Sequence, residues 1–435
     1  MNVRTTFLLV GLPLLALVAH RTPAQEPPHK ASQSTPQKVR NPLNDLLDEA
    51  QAELDKNNYE GAIAPLQKFI AEKPDVAFAH FQLAYAYTAL KRMDDARAEY
   101  EKCITLDPKM AEAYLNLGVL LLEQEPASAV SPLSKAVDLL PSQSRPRTLL
   151  GTAQERSGDL KGAVESFEGA YRLDPADADS LVHLGEVFLK LNRPADAEEK
   201  FRAALGIAPK SPVALQGLAL SLDAQKKPEA VDAYRAYLAV QPRDQASRSR
   251  MLHRMVEQGQ YEAAMAELEK SGPPSDLEQL KLKADIEIGQ KKYPEATSTL
   301  KEALALAPQD AQLHGGLGRL YVETREFANA ERELKLALQI DRNNVVYWKD
   351  LGSAFYLAGK YQATLDTLDI IAKAEAPGAG AWFIRALCYD KLGEVQAALD
   401  AYRKFLVLDA NKNPDQVWQA NQRIHVLEKA PEKKK

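Results

Sequence analysis

Eleven small residues recur through this chain at nearly equal spacing: Ala62, Ala96, Ala129, Ala163, Ala197, Ala230, Ala264, Ala296, Ala330, Thr364 and Ala398. Successive gaps are 32, 33 or 34 residues, and prolines (Pro74, Pro108, Pro141, Pro175, Pro209, Pro242, Pro308) follow seven of the eleven by 12 residues. A fixed period of this length marks an array of small stacked units rather than one globular core. It also leaves little chain for a catalytic domain, so the pattern points to binding surface before chemistry.

Residues 178–209 show the unit most cleanly. Leu181, Leu184, Gly185 and Phe188 recur at the three-and-four spacing of one helical face, which predicts a first helix. Asn192-Arg193 breaks it, Pro194 is acceptable in a first helical turn, and the stripe resumes at Ala197, Phe201, Ala204 and Leu205 until Pro209. Two such helices on a short turn pack antiparallel, with Gly185 and Ala197 allowing close approach. A lone hairpin of this size leaves an apolar flank in water, and stacking hairpin on hairpin covers it. The other repeats keep the grammar, as in Tyr114, Leu117, Gly118 and Leu121, or Leu317, Gly318 and Tyr321. Strand signals are absent.

Trp348, Leu351-Gly352 and Phe355, with the alanine, phenylalanine and proline series, carry a resemblance to the tetratricopeptide repeat family over about residues 43–410. The resemblance implies an all-α fold, a right-handed α-solenoid (superhelix) of stacked helix-turn-helix repeats. It divides the chain into a front array of about six repeats (43–244), a degenerate seventh repeat (245–275) and a rear array of about four (276–410). The seventh has Arg248 at the aromatic slot and ends early at Ser271-Gly272-Pro273-Pro274, which predicts a short second helix and a joint between arrays. Val417, Trp418, Ala420, Ile424, Val426 and Leu427 predict a capping helix within 411–429, followed by a basic tail, 430–435.

At the other end, Arg4, the apolar run Phe7–Ala19 and Thr22-Pro23-Ala24 read as a secretory signal peptide over 1–24. The run is shorter than the roughly 20 residues of a membrane-spanning helix, so no stable span is expected after cleavage. Residues 25–42 hold four prolines and almost no large apolar side chain, the composition of a disordered linker. No Asn is followed two positions later by Ser or Thr, which favours a bacterial envelope over a eukaryotic secretory route. The expected location is therefore periplasmic or secreted.

The formal net charge is −5, and residues 1–24 contain two arginines and no acid. An acidic balance without a basic stripe argues against nucleic acid. Cys103 and Cys388 stand on helices of the second and eleventh repeats, too distant along a stack for a disulfide, so free buried thiols are expected. No two of the seven histidines have metal-ligand spacing, so neither a metal nor another cofactor is expected. His80 and His314 occupy the slot of Trp348 and Trp382 and read as packing residues. Gly315-Gly316-Leu317-Gly318 lies inside a first helix with no preceding strand, which makes it a false phosphate loop; close packing is the expected use of its glycine pair, ahead of approach by a ligand backbone. Acidic pairs such as Asp94-Asp95 and Glu198-Glu199 read as solvated charge. The expectation is a protein without catalysis.

In each first helix, positions 4, 7, 8 and 11 share the packed face, and positions 2, 5, 9 and 12 lie roughly 130° around the axis. The resemblance implies that this second face lines the concave groove and contacts a peptide or protein partner. Its residues here include Phe78, Phe81, Gln82, Tyr85, Asn116, Thr148, Thr152, His183 and Glu186, then Arg319, Lys349, Ser353, Tyr356 and Phe383 toward the C-terminus. Phe78, Phe81 and Tyr85 are the sharpest candidates, because uncovered aromatics are costly, although packing between repeats or against the N-terminal tether could also bury them. The lysine–asparagine pairing of the carboxylate-clamp branch is matched at no repeat. The leading reading is an exported scaffold, monomeric when free. Alternatives are a structural subunit of an envelope secretion or polysaccharide-export complex and, more remotely, an accessory of a glycosyltransferase or peptidase system.

Overall fold

The computed structural model describes residues 42–429 except Ser271 and Ser275. The expected signal peptide, residues 25–41 of the linker and the tail 430–435 lie outside the described residues. Within them every regular element is a helix, 23 in all, and the fold is an all-α solenoid of consecutive helix pairs. The pairs are α1 (Pro42–Asp55) with α2 (Tyr59–Glu72), α3 (Ala77–Ala89) with α4 (Met93–Leu106), α5 (Ala111–Leu121) with α6 (Pro126–Leu139), and α7 (Ser144–Ser157) with α8 (Leu160–Leu173). They continue as α9 (Ala178–Lys190) with α10 (Pro194–Ile207), α11 (Pro212–Ala224) with α12 (Ala230–Val240), α13 (Gln245–Glu257) with α14 (Tyr261–Glu269), and α15 (Leu277–Gly289) with α16 (Tyr293–Leu306). Last come α17 (Ala311–Glu323) with α18 (Phe327–Ile340), α19 (Val345–Leu357) with α20 (Tyr361–Ala374), α21 (Ala379–Leu392) with α22 (Val395–Asp409), and the single α23 (Pro414–Lys429).

The chain divides into two compact units, one up to Lys102 and one from Cys103 on. In the first, α2 packs on both α1 and α3. In the second, each helix from α5 to α22 packs on the one that follows it, and the first helices of several neighbouring repeats also touch. The periodic small residues explain this spacing. All eleven sit on second helices and are 0–1% exposed, so each marks a point where a larger side chain would drive packed helices apart.

Phe201 of α10 shows how adjacent hairpins interlock. Its ring is fully buried, and a Cβ placed at Gly185 of α9 or at Gly217 of α11 would stand 2.6 or 2.2 Å from it. The ring therefore fills the space left by a glycine of its own repeat and a glycine of the next. Phe167 is held in the same way against Gly151, and Leu133 against Gly118. Burying each such side chain contributes roughly 1.5–3 kcal/mol.

The turn inside each hairpin is set by a left-handed residue. Asn57, Lys91, Gly158, Asn192, Lys226, Gly259, Lys291, Arg325, Gly359 and Gly393 have φ between 55° and 91°, one in every repeat but the third. The next residue's N–H then donates to the carbonyl five positions back, as from Arg193 to Phe188 (2.8 Å) and from Lys227 to Leu222 (3.0 Å), closing the first helix with a Schellman bond. Six of the ten are not glycine, so these turns hold strain that glycine would relieve.

The turn between repeats is closed from the aromatic slot. His80 and His314 are buried; their Nδ1 atoms lie 2.6 and 2.8 Å from Glu99 and Glu333, and their Nε2 atoms 3.0 and 3.1 Å from the carbonyls of Pro74 and Pro308. Arg248, the residue that made the seventh repeat look degenerate, makes the same two contacts, to Glu267 (2.7 Å) and the Pro242 carbonyl (2.8 Å). Trp348 donates from its indole to the Arg342 carbonyl at 2.9 Å. In these four repeats the slot thus holds a group that reaches six residues back to the turn between repeats, and Arg248 fits it. The second helix of the seventh repeat, α14, has nine residues and is the shortest described helix.

Three sequence readings need correction. Glu198 is not solvated: its side chain is 13% exposed and accepts from Lys227 (2.7 Å), Gln225 (2.9 Å) and, through the other oxygen, Arg202 (3.0 Å), whereas Glu199 is exposed. Burial alone would raise the Glu198 carboxyl, but the Lys227, Gln225 and Arg202 donors hold it down at about 2. The glycine pair splits, since Gly315 lies against Tyr347 of the next repeat, 2.3 Å from a Cβ placed there, while Gly316 has open space. Four of the six stripe residues cap: Val417, Ala420, Ile424 and Leu427 of α23 face the core with α21 and α22, and Trp418 and Val426 fall on the flank, 67% and 50% exposed.

Candidate functional site

On α3 the sequence-predicted residues come together. Positions 2, 5 and 9 of this helix are Phe78, Phe81 and Tyr85, one turn apart, and Gln82 lies beside them. Phe78 is 51% exposed. Phe81 is half-buried with its ring edge-on to Tyr100 of α4 at 6.0 Å, and Tyr85 is half-buried edge-on to Tyr59 at the start of α2, also at 6.0 Å. Burial, with Tyr59 adding to it, pushes the Tyr85 hydroxyl above its usual range. Such edge-to-face pairs fix ring orientation and are worth roughly 0.5–1.5 kcal/mol each. The rings are thus pre-set rather than free to collapse.

Beneath them runs a chain of side-chain amides. Gln82 is buried and donates to Gln51 of α1 at 2.7 Å, and Gln51 donates to Asp55 at 2.6 Å. The Gln82 carbonyl oxygen is buried with no partner in the protein. A buried acceptor left unpaired costs about 1–3 kcal/mol. Tyr59, Gln51 and Asp55 were missed in the sequence because they come from α1 and α2. The signal that could have found them is their position: Gln51 stands one 34-residue period before Tyr85, on the same lining face.

Beyond Cys103 the candidates are more polar and largely self-satisfied. Asn116 is half-buried on α5. On α7, Thr148 and Thr152 donate to the backbone carbonyls of Ser144 (3.4 Å) and Thr148 (2.9 Å). On α9 the His183 ring stacks on Phe167 at 4.9 Å, with Nδ1 3.4 Å from Glu186. Burial draws this imidazole down, but the Glu186, Glu155 and Asp179 carboxylates outweigh it and leave it raised. Arg319 pairs with Asp350 across to the next repeat (2.9 Å), and Lys349 with Glu375 (2.7 Å). Tyr356 lies edge-on to Tyr361 at 6.2 Å, while Ser353 is exposed. Phe383 does not lie on a free face: it is buried against Phe405 and Tyr402. A cleft that the sequence reading overlooked lies between α18, α19 and α20, lined by Leu338, Trp348, Phe355 and Ile370 with Lys335 and Arg342 at its edge.

Among the described residues no three His, Cys, Asp or Glu side chains are grouped to hold a metal ion, and no helix is long and apolar enough to cross a membrane. Cys103 and Cys388 are free and fully buried, and burial pushes both thiols up to about 11, far from a nucleophile's range.

Comparison with known proteins places these features. Two family models, both described as tetratricopeptide repeat, match residues 47–111, 148–212 and 349–413, and residues 287–354. The anaphase-promoting complex subunit CDC16 of Saccharomyces cerevisiae is 30% identical over 135 residues, 31% of this chain and 16% of that protein. The mitochondrial import receptor subunit TOM70 of Mus musculus is 25% identical over 127 residues, 29% of this chain and 21% of that one. These matches therefore span about a fifth or less of each relative. Among solved structures, YrrB, described as a TPR protein with an unusual peptide-binding site, is 20% identical with a TM-score of 0.39, covering 42% of this chain and 95% of its own. With the matched repeats taken together, the chain belongs to the tetratricopeptide repeat family.

Proposed function

We propose that this chain is an exported scaffold without catalysis of its own, and that it holds a peptide segment or protein partner on its first-helix face with α3 as the anchor. The observation that carries this reading is the aromatic row Phe78, Phe81 and Tyr85 over the unpartnered Gln82 carbonyl. Aromatic anchors supply large contact area at low entropic cost. The related segments in CDC16 and TOM70 support the reading, since both proteins are by name subunits of larger assemblies. The test is a photo-crosslinking residue at Phe78 in living cells, with mass spectrometry of the captured species. The reading expects discrete protein adducts that form in the envelope fraction. Adducts spread over abundant proteins without preference, or adducts found only in the cytoplasm, would refute it.

A second reading, a permanent structural subunit of an envelope complex, is favoured by one observation. Val407 and Leu408 of α22 and Trp418 of α23 are 79%, 50% and 67% exposed, and a fixed neighbour would cover them. Size-exclusion chromatography of envelope extracts separates the two, because a structural subunit elutes only with its complex.

A further inference from the structure

The α3 aromatic row, exposed at Phe78 and half-buried at Phe81 and Tyr85, is framed by acid. Helix α1 carries Asp45, Asp48, Glu49, Glu53 and Asp55 and no lysine or arginine. Glu53 is engaged by Lys56 and Asn58, but Asp45, Asp48, Glu49 and Asp55 are exposed. Asp48, Gln51 and Asp55 follow one another at three- and four-residue steps along α1, and the Gln51–Gln82 bond ties that side of the helix to α3. The surface therefore combines three aromatic rings with a negative border.

Directly before α1 the chain holds a segment of matching chemistry. Residues 25–41, QEPPHKASQSTPQKVRN, include Pro27, Pro28 and Pro36, with Lys30, Lys38 and Arg40 against the single acid Glu26. Proline rings stack on aromatic side chains, and a proline-containing segment loses little entropy when it docks extended. Its cations suit the α1 carboxylates. Resting on the reading of α3 as the binding face, we propose that residues 25–41 fold back onto Phe78, Phe81 and Tyr85 and compete there with the external partner.

The geometry permits it. Helices α1 and α3 run in the same direction, because each is antiparallel to α2, so with Gln51 beside Gln82 the Pro42 end of α1 lies at the Phe78 end of α3. The row from Phe78 to Tyr85 spans seven helical rises, about 10 Å. Seventeen residues at about 3.1 Å each in extended polyproline form reach roughly 50 Å, enough to turn and run along the row. A short tether gives an effective concentration in the millimolar range, so even a weak intrinsic contact is substantially occupied in cis. The partner's apparent affinity then falls by the unoccupied fraction.

The test uses the purified full chain with a photo-crosslinking residue at Phe81, mapped by peptide mass spectrometry. The expected result is an intramolecular adduct to residues 25–41 whose yield does not depend on protein concentration. That yield should fall at least threefold when Lys30, Lys38 and Arg40 are replaced together by glutamate, and again in 0.5 M salt. An adduct that grows with concentration and joins two copies would overturn the proposal, as would no adduct to 25–41 in the wild-type chain. Partner capture in cells separates this inference from the functional reading beneath it. If the triple glutamate variant, probed at Phe78, captures at least threefold more partner than wild type, both stand. If partner is captured equally by both, α3 binds but is not self-occupied. If neither captures partner, the functional reading itself fails.

Discussion

Replacing Gly217 by alanine should destabilise the chain, although the same change elsewhere in a first helix should stabilise it. The added methyl at position 217 would lie 2.2 Å from the Phe201 ring, where carbon–carbon contact needs about 3.5–4.0 Å. The ring would have to retreat by more than about 1 Å, and it is fully buried, packed against the Gly185 backbone as well. Overpacking of this kind costs typically 1–3 kcal/mol, and alanine returns about 1 kcal/mol of helix propensity. The net expectation for Gly217→Ala is a loss of up to about 2 kcal/mol. Gly316→Ala, in open space within α17, keeps only the propensity gain, about 0.5–1 kcal/mol. Adding Phe201→Leu to Gly217→Ala should recover part of the loss, a coupling of roughly 0.5–3 kcal/mol. A long array need not unfold in one step, so local hydrogen exchange, read in α9–α11 and in α17, is the appropriate assay. If both alanine variants slow exchange in their own helices, the interlocking of Phe201 between Gly185 and Gly217 is wrong.

At the hairpin turns, Lys291→Gly (φ 60°) should gain roughly 0.5 kcal/mol and Gly359→Ala (φ 73°) lose about 1 kcal/mol, measured by thermal unfolding; equal signs would contradict the assigned turn geometry. Glu198 has a carboxyl held below its ordinary 4.5, at about 2, so its contribution is complete above 4.5 and is lost as the pH falls from there toward 2. Glu198→Gln should cost roughly 1.5–3 kcal/mol at pH 7 and flatten the acid limb of the stability profile; an unchanged limb would show that the Lys227 and Arg202 contacts do not form. Cys103 and Cys388, buried with thiols near 11, should resist alkylation at pH 8 in the folded chain and react once it is unfolded in urea; modification of both within minutes under native conditions would refute their burial.

The repeat and its core were legible in the sequence because stacking imposes one steric demand at one place per unit. Ala62, Ala197 and Thr364 could be read as buried from spacing alone, and they are. The left-handed series was not read, because lysine, arginine and asparagine stand at six of its ten positions and only a backbone angle distinguishes them from surface residues. Arg248 looked like a defect until its two acceptors, Glu267 and the Pro242 carbonyl, were in view. Glu198 illustrates the same limit: its partners Gln225 and Lys227 come from the next repeat, and no local pattern announces them. On the candidate face, Phe78, Phe81 and Tyr85 were legible as one row by helical geometry. Their supports Tyr59 and Gln51 were not, because contacts between helices depend on how hairpins stack. Phe383 failed for a related reason, since at the C-terminal end Phe405 and Tyr402 of α22 reach the position that would otherwise face outward.

The account stands most directly on partner capture by the triple variant Phe78→Ser, Phe81→Ser and Tyr85→Ser, compared with wild type at matched helical content by circular dichroism. The prediction is that helicity and thermal unfolding of the array from Cys103 on persist while capture falls at least tenfold. Capture that persists undiminished in a folded triple variant would contradict the assignment of α3 as the binding face.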